Sequence, residues 1–188
     1  MSVVLYGSFN CPYSFLASLR VDRLIAAGAV AVQWRAVVHD PAVAAEGEPA
    51  SGELAALLDR ELREIRGLLA PGEPYPARRP AVQANTTAAV AGYWALEGPK
   101  SNRLRAGLFE AFWVDGLNIG DRSVLDRLGC PAVSPGETMR RWQRAWEGMD
   151  RPMVPMMTLP GGRVLRGTEA LPCLAEMTTA GAGGTDGN

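Results

Sequence analysis

The chain has 188 residues, enough for one compact domain or for a small domain that carries a long insertion. Its 19 basic and 20 acidic side chains leave a formal net charge of −1, which provides no broad positive field for nucleic acid or anionic lipid. No apolar run approaches the roughly 20 residues that cross a bilayer, and the N-terminus lacks the basic start of a secretory signal, so we expect a cytoplasmic protein without nucleic-acid or membrane partners.

A strand, a helix and a second strand are predicted at the start of the chain. Residues 3–9 form an apolar run without polar alternation, which is typical of a strand covered on both faces. The helix that follows is marked at both ends, by Pro12 in its first turn and by Gly28 at its exit. Residues 30–38 predict the second strand, and a connection of this length implies that the two strands pair in parallel.

A long helical block follows this unit. A stripe of leucine and isoleucine predicts an amphipathic helix over residues 54–69, and the prolines between residues 71 and 80 predict an extended surface loop. Helical periodicity continues over residues 86–97, 102–115, 122–129 and 135–148. Ser134, Pro135 and Glu137 predict that the last of these helices opens with a capping box and with proline at its first position.

The end of the chain predicts a hairpin and a closing helix. Residues 153–159 and 163–166 form the two arms of the hairpin. Thr168 is predicted to cap a helix that runs to about Met177, and the glycine-rich residues 180–188 are predicted to be a disordered tail. No internal repeat or linker divides the chain.

The chemistry of the sequence centres on Cys11, between the end of the first strand and the start of the first helix. The free backbone N–H groups and the dipole at this helix end favour a thiolate. Ser14 lies on the same side of the helix, so its hydroxyl is placed to donate a hydrogen bond to the sulfur. Parallel pairing puts His39, at the end of the second strand, on the same sheet edge as a candidate proton carrier.

These features resemble the DsbA-like branch of the thioredoxin superfamily, which includes the kappa-class glutathione transferases and the 2-hydroxychromene-2-carboxylate isomerases. The matching pieces, in order, are Cys11-Pro12-Tyr13-Ser14 after an apolar strand, Asn85-Thr86-Thr87 in the helical block, Val154-Pro155 before a strand, and Gly167-Thr168-Glu169 before the final helix. The resemblance covers nearly the whole chain. It implies an α/β, thioredoxin-like fold with residues 1–40 and 150–179 as its core and residues 50–149 as an all-helical insertion.

The same resemblance implies a set of binding residues. Val154-Pro155 is expected to be a cis peptide bond that faces Cys11 and offers the backbone of Val154 to a bound thiol compound. Thr168 and Glu169 are expected to hold the γ-glutamyl group of glutathione. The remaining members of the implied thiol-binding set are Pro12, Tyr13, His39 and Asn85. The implied co-substrate is a low-molecular-weight thiol, either glutathione or a mycothiol-like compound, and the implied partner substrate is a small electrophilic or aromatic molecule.

Two departures from the family pattern leave the reaction open. Disulfide-exchanging members carry a second cysteine where this chain has Ser14, so an external thiol must release a mixed disulfide formed on Cys11. Kappa-class and isomerase members usually carry serine at the position of Cys11. Three hypotheses therefore stand: a thiol-dependent oxidoreductase or transferase with one active thiol, a glutathione-dependent isomerase, and a non-catalytic binding protein.

The other cysteines offer no second chemical centre. An odd number of cysteines in a chain of this size favours reduced thiols over a disulfide framework. Cys130 and Cys173 show no spacing that links them to Cys11, so we expect packing or surface roles. One histidine and three scattered cysteines lack the paired spacing of metal ligands, and no metal is predicted. A monomer and a homodimer are both compatible with the sequence.

Overall fold

The computed structural model describes residues 2–28 and 30–182. The strands are β1 (Ser2–Gly7), β2 (Ala31–Ala36), β3 (Glu48–Pro49), β4 (Val82–Gln83), β5 (Met156–Thr158) and β6 (Val164–Arg166). The helices are α1 (Pro12–Ala26), α2 (Gly52–Arg66), α3 (Thr87–Trp94), α4 (Gly98–Trp113), α5 (Arg122–Arg127), α6 (Glu137–Glu147) and α7 (Ala170–Ala182). A 3-10 turn, Gly167–Glu169, joins β6 to α7.

A four-stranded sheet in the order β2-β1-β5-β6 positions the rest of the chain. β1 pairs in parallel with β2 and antiparallel with β5, which pairs antiparallel with β6. This arrangement confirms the predicted strand-helix-strand unit and the predicted hairpin. The carboxyl ends of β1 and β2 meet at one edge of the sheet, and Cys11 and His39 follow these two ends.

One hydrophobic core joins the sheet to the helical block between β2 and β5. Phe109 of α4 is fully buried and stacks on Phe15 of α1, with ring centroids 5.7 Å apart. It also meets Phe9 and Trp34 edge-on, at centroid distances of 5.2 Å and 5.7 Å. Burying an aromatic side chain of this size contributes about 1.5–3 kcal/mol. The helical block is therefore part of the same folded body as the sheet.

The outer edge of the sheet, strand β2, is covered by side chains of the helical block. The backbone carbonyl of Trp34 accepts a hydrogen bond from the hydroxyl of Tyr93 at 3.0 Å, and that of Ala36 accepts one from Trp94 Nε1 at 2.9 Å. Gln143 of α6 exchanges two bonds of 2.9 Å with the backbone of Val38. These hydrogen bonds satisfy backbone groups at the edge of the sheet that would otherwise be open to pairing with another strand.

Two helix starts differ from the prediction. α6 begins at Glu137 with Gly136 at the N-cap position, and no side chain caps it. The predicted capping box is wrong because the Glu137 carboxylate instead accepts a hydrogen bond from Arg144 at 2.8 Å. Thr168 does not cap the closing helix either, because it lies within the 3-10 turn and α7 begins only at Ala170.

The proline-containing segment, residues 71–80, is not the plain surface loop that the sequence predicted. Its Glu73 forms an ion pair with Arg20 of α1, and the two side chains are only 1% and 2% exposed. The hydroxyl of Tyr75 donates to the carbonyl of Pro12 at 3.0 Å. The segment therefore fastens the helical block to α1.

The smallest strands and the end of the chain complete the fold. β3 and β4 form a two-stranded antiparallel sheet that the sequence did not predict, because two-residue strands carry no readable alternation. α7 continues to Ala182, which corrects the predicted helix end at Met177 and the predicted start of the tail at residue 180. The rest of that tail, residues 183–188, lies outside the described residues. No helix within the described residues is long and apolar enough to cross a membrane.

Candidate active site

Cys11 is the residue immediately before α1. Its backbone is extended, with φ −107° and ψ 121°, and its carbonyl accepts a hydrogen bond from Phe15 N–H at 3.1 Å. Pro12 occupies the first helical position, where a missing N–H is no loss. The predicted placement of Cys11 between a strand end and a helix start is confirmed.

The cysteine faces the loop that leads into β5. Val154-Pro155 is a cis peptide bond, as the resemblance implied. The Cys11 thiol donates a hydrogen bond to the carbonyl of Val154, with sulfur and oxygen 3.6 Å apart. β1 and β5 are neighbours in the sheet, and this pairing brings the two residues together across the chain.

The surroundings of Cys11 favour the neutral thiol. Burial raises its pKa to about 11, against hydrogen bonds to Ser14 and Tyr13 that lower it, while the charge of Glu61 raises it further. Ser14 itself is fully buried, and its hydroxyl accepts the N–H of Ser8 at 3.3 Å. Desolvation of the sulfur thus opposes the thiolate that the helix terminus favours.

Cys11 opens into a cavity of about 600 Å³. We call it the Cys11 cavity; it is lined by Cys11, Tyr13, His39, Glu61, Arg151, Met153, Val154, Arg166, Gly167, Thr168 and Glu169. The lining comes from the start of α1, the loop after β2, helix α2, the loop before β5, the end of β6 and the 3-10 turn. Three residues distant in sequence, His39, Thr168 and Glu169, thus share one cavity with the cysteine.

Two other residues of the predicted thiol-binding set, Pro12 and Asn85, make contacts within the fold and do not reach the cavity. Pro12 is buried, and its carbonyl is occupied by the hydroxyl of Tyr75. The Asn85 amide donates to the carbonyl of Val43 at 2.7 Å and accepts from Thr87 N–H at 3.0 Å. Neither Pro12 nor Asn85 lines the Cys11 cavity. The polar groups of Asn85 connect a loop to the first turn of α3 instead.

Tyr13 connects the start of α1 to α2 beside the cavity. Its hydroxyl donates to Glu64 at 2.6 Å. Burial raises the pKa of Tyr13, and this hydrogen bond and the charge of Glu64 raise it further. The phenol therefore remains protonated at neutral pH. Tyr13 therefore contributes no anion to the cavity that it lines.

Three charged residues of the cavity carry no motif and were not predicted as site residues: Glu61, Arg151 and Arg166. Glu61 lies on the amphipathic helix α2, at helical spacing from Leu58 and Ile65, so its carboxylate interrupts the apolar face. Burial and the neighbouring charge of Glu64 raise its pKa. Arg151 has a positive φ of 50°, a conformation unusual for a residue other than glycine. The sequence contains no signal for Arg151 or Arg166, whereas a carboxylate on the apolar face of a helix is a signal that could have identified Glu61.

The remaining cysteines lie apart from this cavity. Cys130 is 4% exposed and packs closely beside Gly92 of α3. Cys173 is half-buried and lines a separate depression between β6 and α7. Cys11 is thus the one thiol among the described residues that lines the Cys11 cavity. No group of three or more His, Cys, Asp or Glu residues in the described ranges is arranged to hold a metal ion.

A parallel strand-helix-strand unit followed by an antiparallel hairpin, with a cysteine before the first helix facing a cis-proline, defines a thioredoxin-fold protein; here it carries a helical insertion. The profile of the DSBA-like thioredoxin domain matches residues 2–130. The chain belongs to the DSBA-like thioredoxin family.

Solved structures share the fold at low sequence identity. A 2-hydroxychromene-2-carboxylate isomerase is 19% identical, with a TM-score of 0.68 over 96% of this chain and 95% of that one. The cytosolic disulfide reductase DsbM from Pseudomonas aeruginosa, in a structure with GSH, is 19% identical, with a TM-score of 0.66 over 96% of each chain. A probable DsbA oxidoreductase from Streptomyces coelicolor is 17% identical, with a TM-score of 0.70 over 100% of this chain and 92% of that one. No curated protein matches the sequence significantly.

Proposed function

We propose that this protein is a cytoplasmic thiol-dependent oxidoreductase that acts through the single thiol of Cys11 and uses a low-molecular-weight thiol as co-substrate. The observation that carries the proposal is the position of the Cys11 sulfur. It lies before α1, 3.6 Å from the carbonyl of Val154, and opens into the Cys11 cavity. A small disulfide that enters this cavity meets a nucleophile on one side and a backbone carbonyl on the other.

The reaction requires two thiol–disulfide exchanges. The Cys11 thiolate attacks one sulfur of the substrate disulfide, the S–S bond breaks, and the other sulfur leaves as a thiolate that takes up a proton. Cys11 then holds one half of the substrate as a mixed disulfide. The thiolate of glutathione or mycothiol attacks the substrate sulfur of that mixed disulfide, the bond to Cys11 breaks, and Cys11 leaves as a thiolate that takes up a proton. The substrate half departs joined to the attacking thiol by a new disulfide bond. His39, exposed at the edge of the cavity, is the proposed carrier for the cysteine proton.

The positions of Ser14 and of the other cysteines support release of the mixed disulfide by an external thiol. Ser14 occupies the position from which a second cysteine would resolve the mixed disulfide, and it has no thiol. Cys130 and Cys173 do not line the cavity. A mixed disulfide on Cys11 therefore has no resolving partner among the residues of its own cavity.

The raised pKa of Cys11 favours reduction of disulfides over their formation. A strong dithiol oxidant is one whose reduced form is stabilised, as when its environment favours a low-pKa thiolate. Burial of Cys11 has the opposite effect and raises its pKa to about 11. We therefore favour a reductase or thiol transferase over an oxidase.

Thr168 and Glu169 are the proposed anchor for the thiol compound. Both are exposed and line the Cys11 cavity from the 3-10 turn. A carboxylate and a hydroxyl suit the ammonium and amide groups of a γ-glutamyl or similar polar end. The apolar lining offered by Met153 and Val154 suits a small aromatic or electrophilic partner.

Intact-mass analysis tests the proposal. The protein is incubated with oxidised glutathione and, separately, with the disulfide of mycothiol, and then with the matching reduced thiol. We expect one adduct on the wild type, its removal by the reduced thiol, and no adduct at this site in Cys11→Ser. Cys173→Ser is the matched control and should still form the Cys11 adduct.

Two results would replace the proposal. If Cys11→Ser retained a glutathione-dependent isomerase activity of the wild type, the cysteine would only assist a bound thiol and the isomerase hypothesis would stand. If no disulfide reacted at Cys11 and no thiol compound bound, the chain would be a non-catalytic binding protein.

A further inference from the structure

Two arginines line the Cys11 cavity from neighbouring segments of the chain. Arg151 lies in the loop before cis-Pro155, and Arg166 ends strand β6. Arg166 Nη2 donates a hydrogen bond of 2.9 Å to the carbonyl of Asp150, the residue just before Arg151. This bond ties the guanidinium of Arg166 to the loop that carries Arg151.

Arg166 has hydrogen-bonding capacity that the protein leaves unused. Its Nε is buried, and no acceptor among the described residues pairs with it. A buried N–H without a partner is costly, and the cost is removed when an acceptor arrives. The guanidinium presents its donors in a planar fork that matches a carboxylate.

The acidic residues of the cavity do not neutralise these two arginines. Arg151 has one loose contact, with Asp150 at 3.5 Å, between side chains that are 82% and 79% exposed. Such an exposed pair is screened by solvent. Glu61 and Glu169 also line the cavity, yet neither forms an ion pair with an arginine of the cavity within the described residues. Both guanidinium groups are therefore available to a ligand.

We propose that Arg151 and Arg166 form an anion subsite beside Cys11 and select small disulfides that carry a carboxylate. The inference rests on the proposed function, because it assigns the specificity of the same thiol. A carboxylate bound there brings its disulfide to the sulfur of Cys11.

Two aromatic disulfides, one anionic and one neutral, test this subsite. Dithiobis(nitrobenzoate) carries two carboxylates, and dithiodipyridine is neutral. The rate constants of both with Cys11 are measured at low ionic strength in a Cys173→Ser background, and mass spectrometry confirms modification at Cys11. The ratio of the anionic to the neutral rate constant cancels changes in the nucleophilicity of the thiol.

We expect Arg166→Gln to lower this ratio about five-fold, and Arg151→Gln combined with Arg166→Gln to lower it further, since a nearby unit charge changes a rate by several-fold. Arg163→Gln is the matched control, because it removes the same charge from the hairpin outside the cavity. It should leave the ratio unchanged. A ratio that is equal in the wild type and the double variant would overturn the inference, and so would an equal drop in the control.

A second measurement separates this inference from the proposed function. If Cys11 reacts with neither disulfide, the proposed function fails, and the subsite is assessed by titrating the protein with succinate. The NMR signal of the Arg166 Nε–H, assigned by its loss in Arg166→Gln, should shift as succinate is added. A signal that does not move at high succinate would overturn the anion subsite.

Discussion

Two opposing effects set the protonation of Cys11. The N-terminus of α1 and the hydrogen bonds from Ser14 and Tyr13 stabilise a thiolate, while burial and the carboxylate of Glu61 destabilise it. The thiol also donates its proton to the carbonyl of Val154. A thiolate would lose this hydrogen bond and place its negative charge beside the carbonyl oxygen. Burial of the sulfur therefore raises the pKa of Cys11 and favours the neutral thiol.

The reaction of Cys11 with iodoacetamide should rise with pH well beyond the range of an ordinary cysteine. Since its pKa is about 11, the thiolate fraction grows about tenfold per pH unit up to about pH 10. A thiolate of higher pKa is intrinsically more nucleophilic, which offsets part of this deficit. We expect labelling roughly 20-fold slower than free cysteine at neutral pH. Labelling reactions quenched at a series of times and analysed by mass spectrometry give the rate at each pH. A rate that stopped rising below pH 8 would contradict this expectation.

Substitution of Glu61 should make Cys11 more reactive. The charge of Glu61 raises the pKa of Cys11, so Glu61→Gln lowers that pKa and increases the thiolate fraction. We expect iodoacetamide labelling at neutral pH to accelerate several-fold. Glu53→Gln removes an equal charge from the exposed first turn of the same helix and serves as the control. Equal rates in Glu61→Gln and the wild type would show that the carboxylate does not act on the sulfur.

Local motifs identified the part of the site that lies within a few residues of a helix start or a turn. Cys11 was recognisable because a strand, a proline and a helix surround it, and Thr168 because it precedes the last helix. Glu61, Arg151 and Arg166 reach the cavity only through tertiary packing of α2, the loop before β5 and β6. The depth of Cys11, which decides its pKa, is likewise a property of the folded chain.

At the level of elements, α6 supports both loops that border the site. Gln143 bonds the backbone of Val38 beside His39, and Trp146 Nε1 donates to the carbonyl of Met153 at 3.1 Å. The sequence predicted this helix but missed its start, since Glu137 has an arginine partner that no capping pattern reveals. The periodicity of apolar residues identified the helix. The residue at which it begins depended on which partner the Glu137 side chain binds, and periodicity does not reveal that.

Helix α3 packs so closely on the loop after α5 that it requires a glycine. A Cβ at Gly92 would lie 2.2 Å from Cys130 Sγ and 2.9 Å from the carbonyl of Pro131. Gly92→Ala should therefore destabilise the protein by about 1–3 kcal/mol, as overpacked cores do. The midpoint of urea unfolding measures this change.

Gly107→Ala in α4 is the matched control for that substitution. A Cβ at Gly107 meets only Leu128 at 3.5 Å, an ordinary contact. The change should leave stability unchanged or raise it by up to about 1 kcal/mol, the helix propensity gained over glycine. If both variants were equally stable, the close packing of α3 on Cys130 would not constrain the fold.

At the scale of the whole molecule, one buried ion pair links four parts of the chain. Arg20 of α1 binds Glu73 through two hydrogen bonds of 2.9 Å and 2.6 Å. Its remaining donors reach the carbonyl of Leu171 in α7 at 2.7 Å and that of Leu68 after α2 at 2.8 Å. The order of elements along the sequence predicted the sheet and the placing of the helical block. It did not predict this pair, because a proline-containing segment gives no sign that one of its carboxylates is buried.

Glu73→Gln should lower the free energy of unfolding by about 3–5 kcal/mol at neutral pH, because it leaves the charge of Arg20 buried and unpaired. Urea unfolding measures the loss. The double variant Arg20→Met, Glu73→Leu removes both charges and should be more stable than Glu73→Gln. A double variant that is less stable than the single one would show that the pair contributes more than it costs to bury.

The stabilisation from Glu73 should disappear in acid. Burial raises the pKa of Glu73, but hydrogen bonds from Arg20 and Ala70 and the charges of Arg20 and Arg23 lower it more, so its folded value lies below the ordinary 4.5. A carboxyl group with a lowered folded pKa adds stability that is complete above its unfolded pKa and is lost as the pH falls through the folded pKa. The difference in unfolding free energy between the wild type and Glu73→Gln should thus be constant near neutrality and shrink below about pH 4. Urea unfolding at a series of pH values measures it, and a difference that widened in acid would mean that Glu73 is protonated in the folded protein.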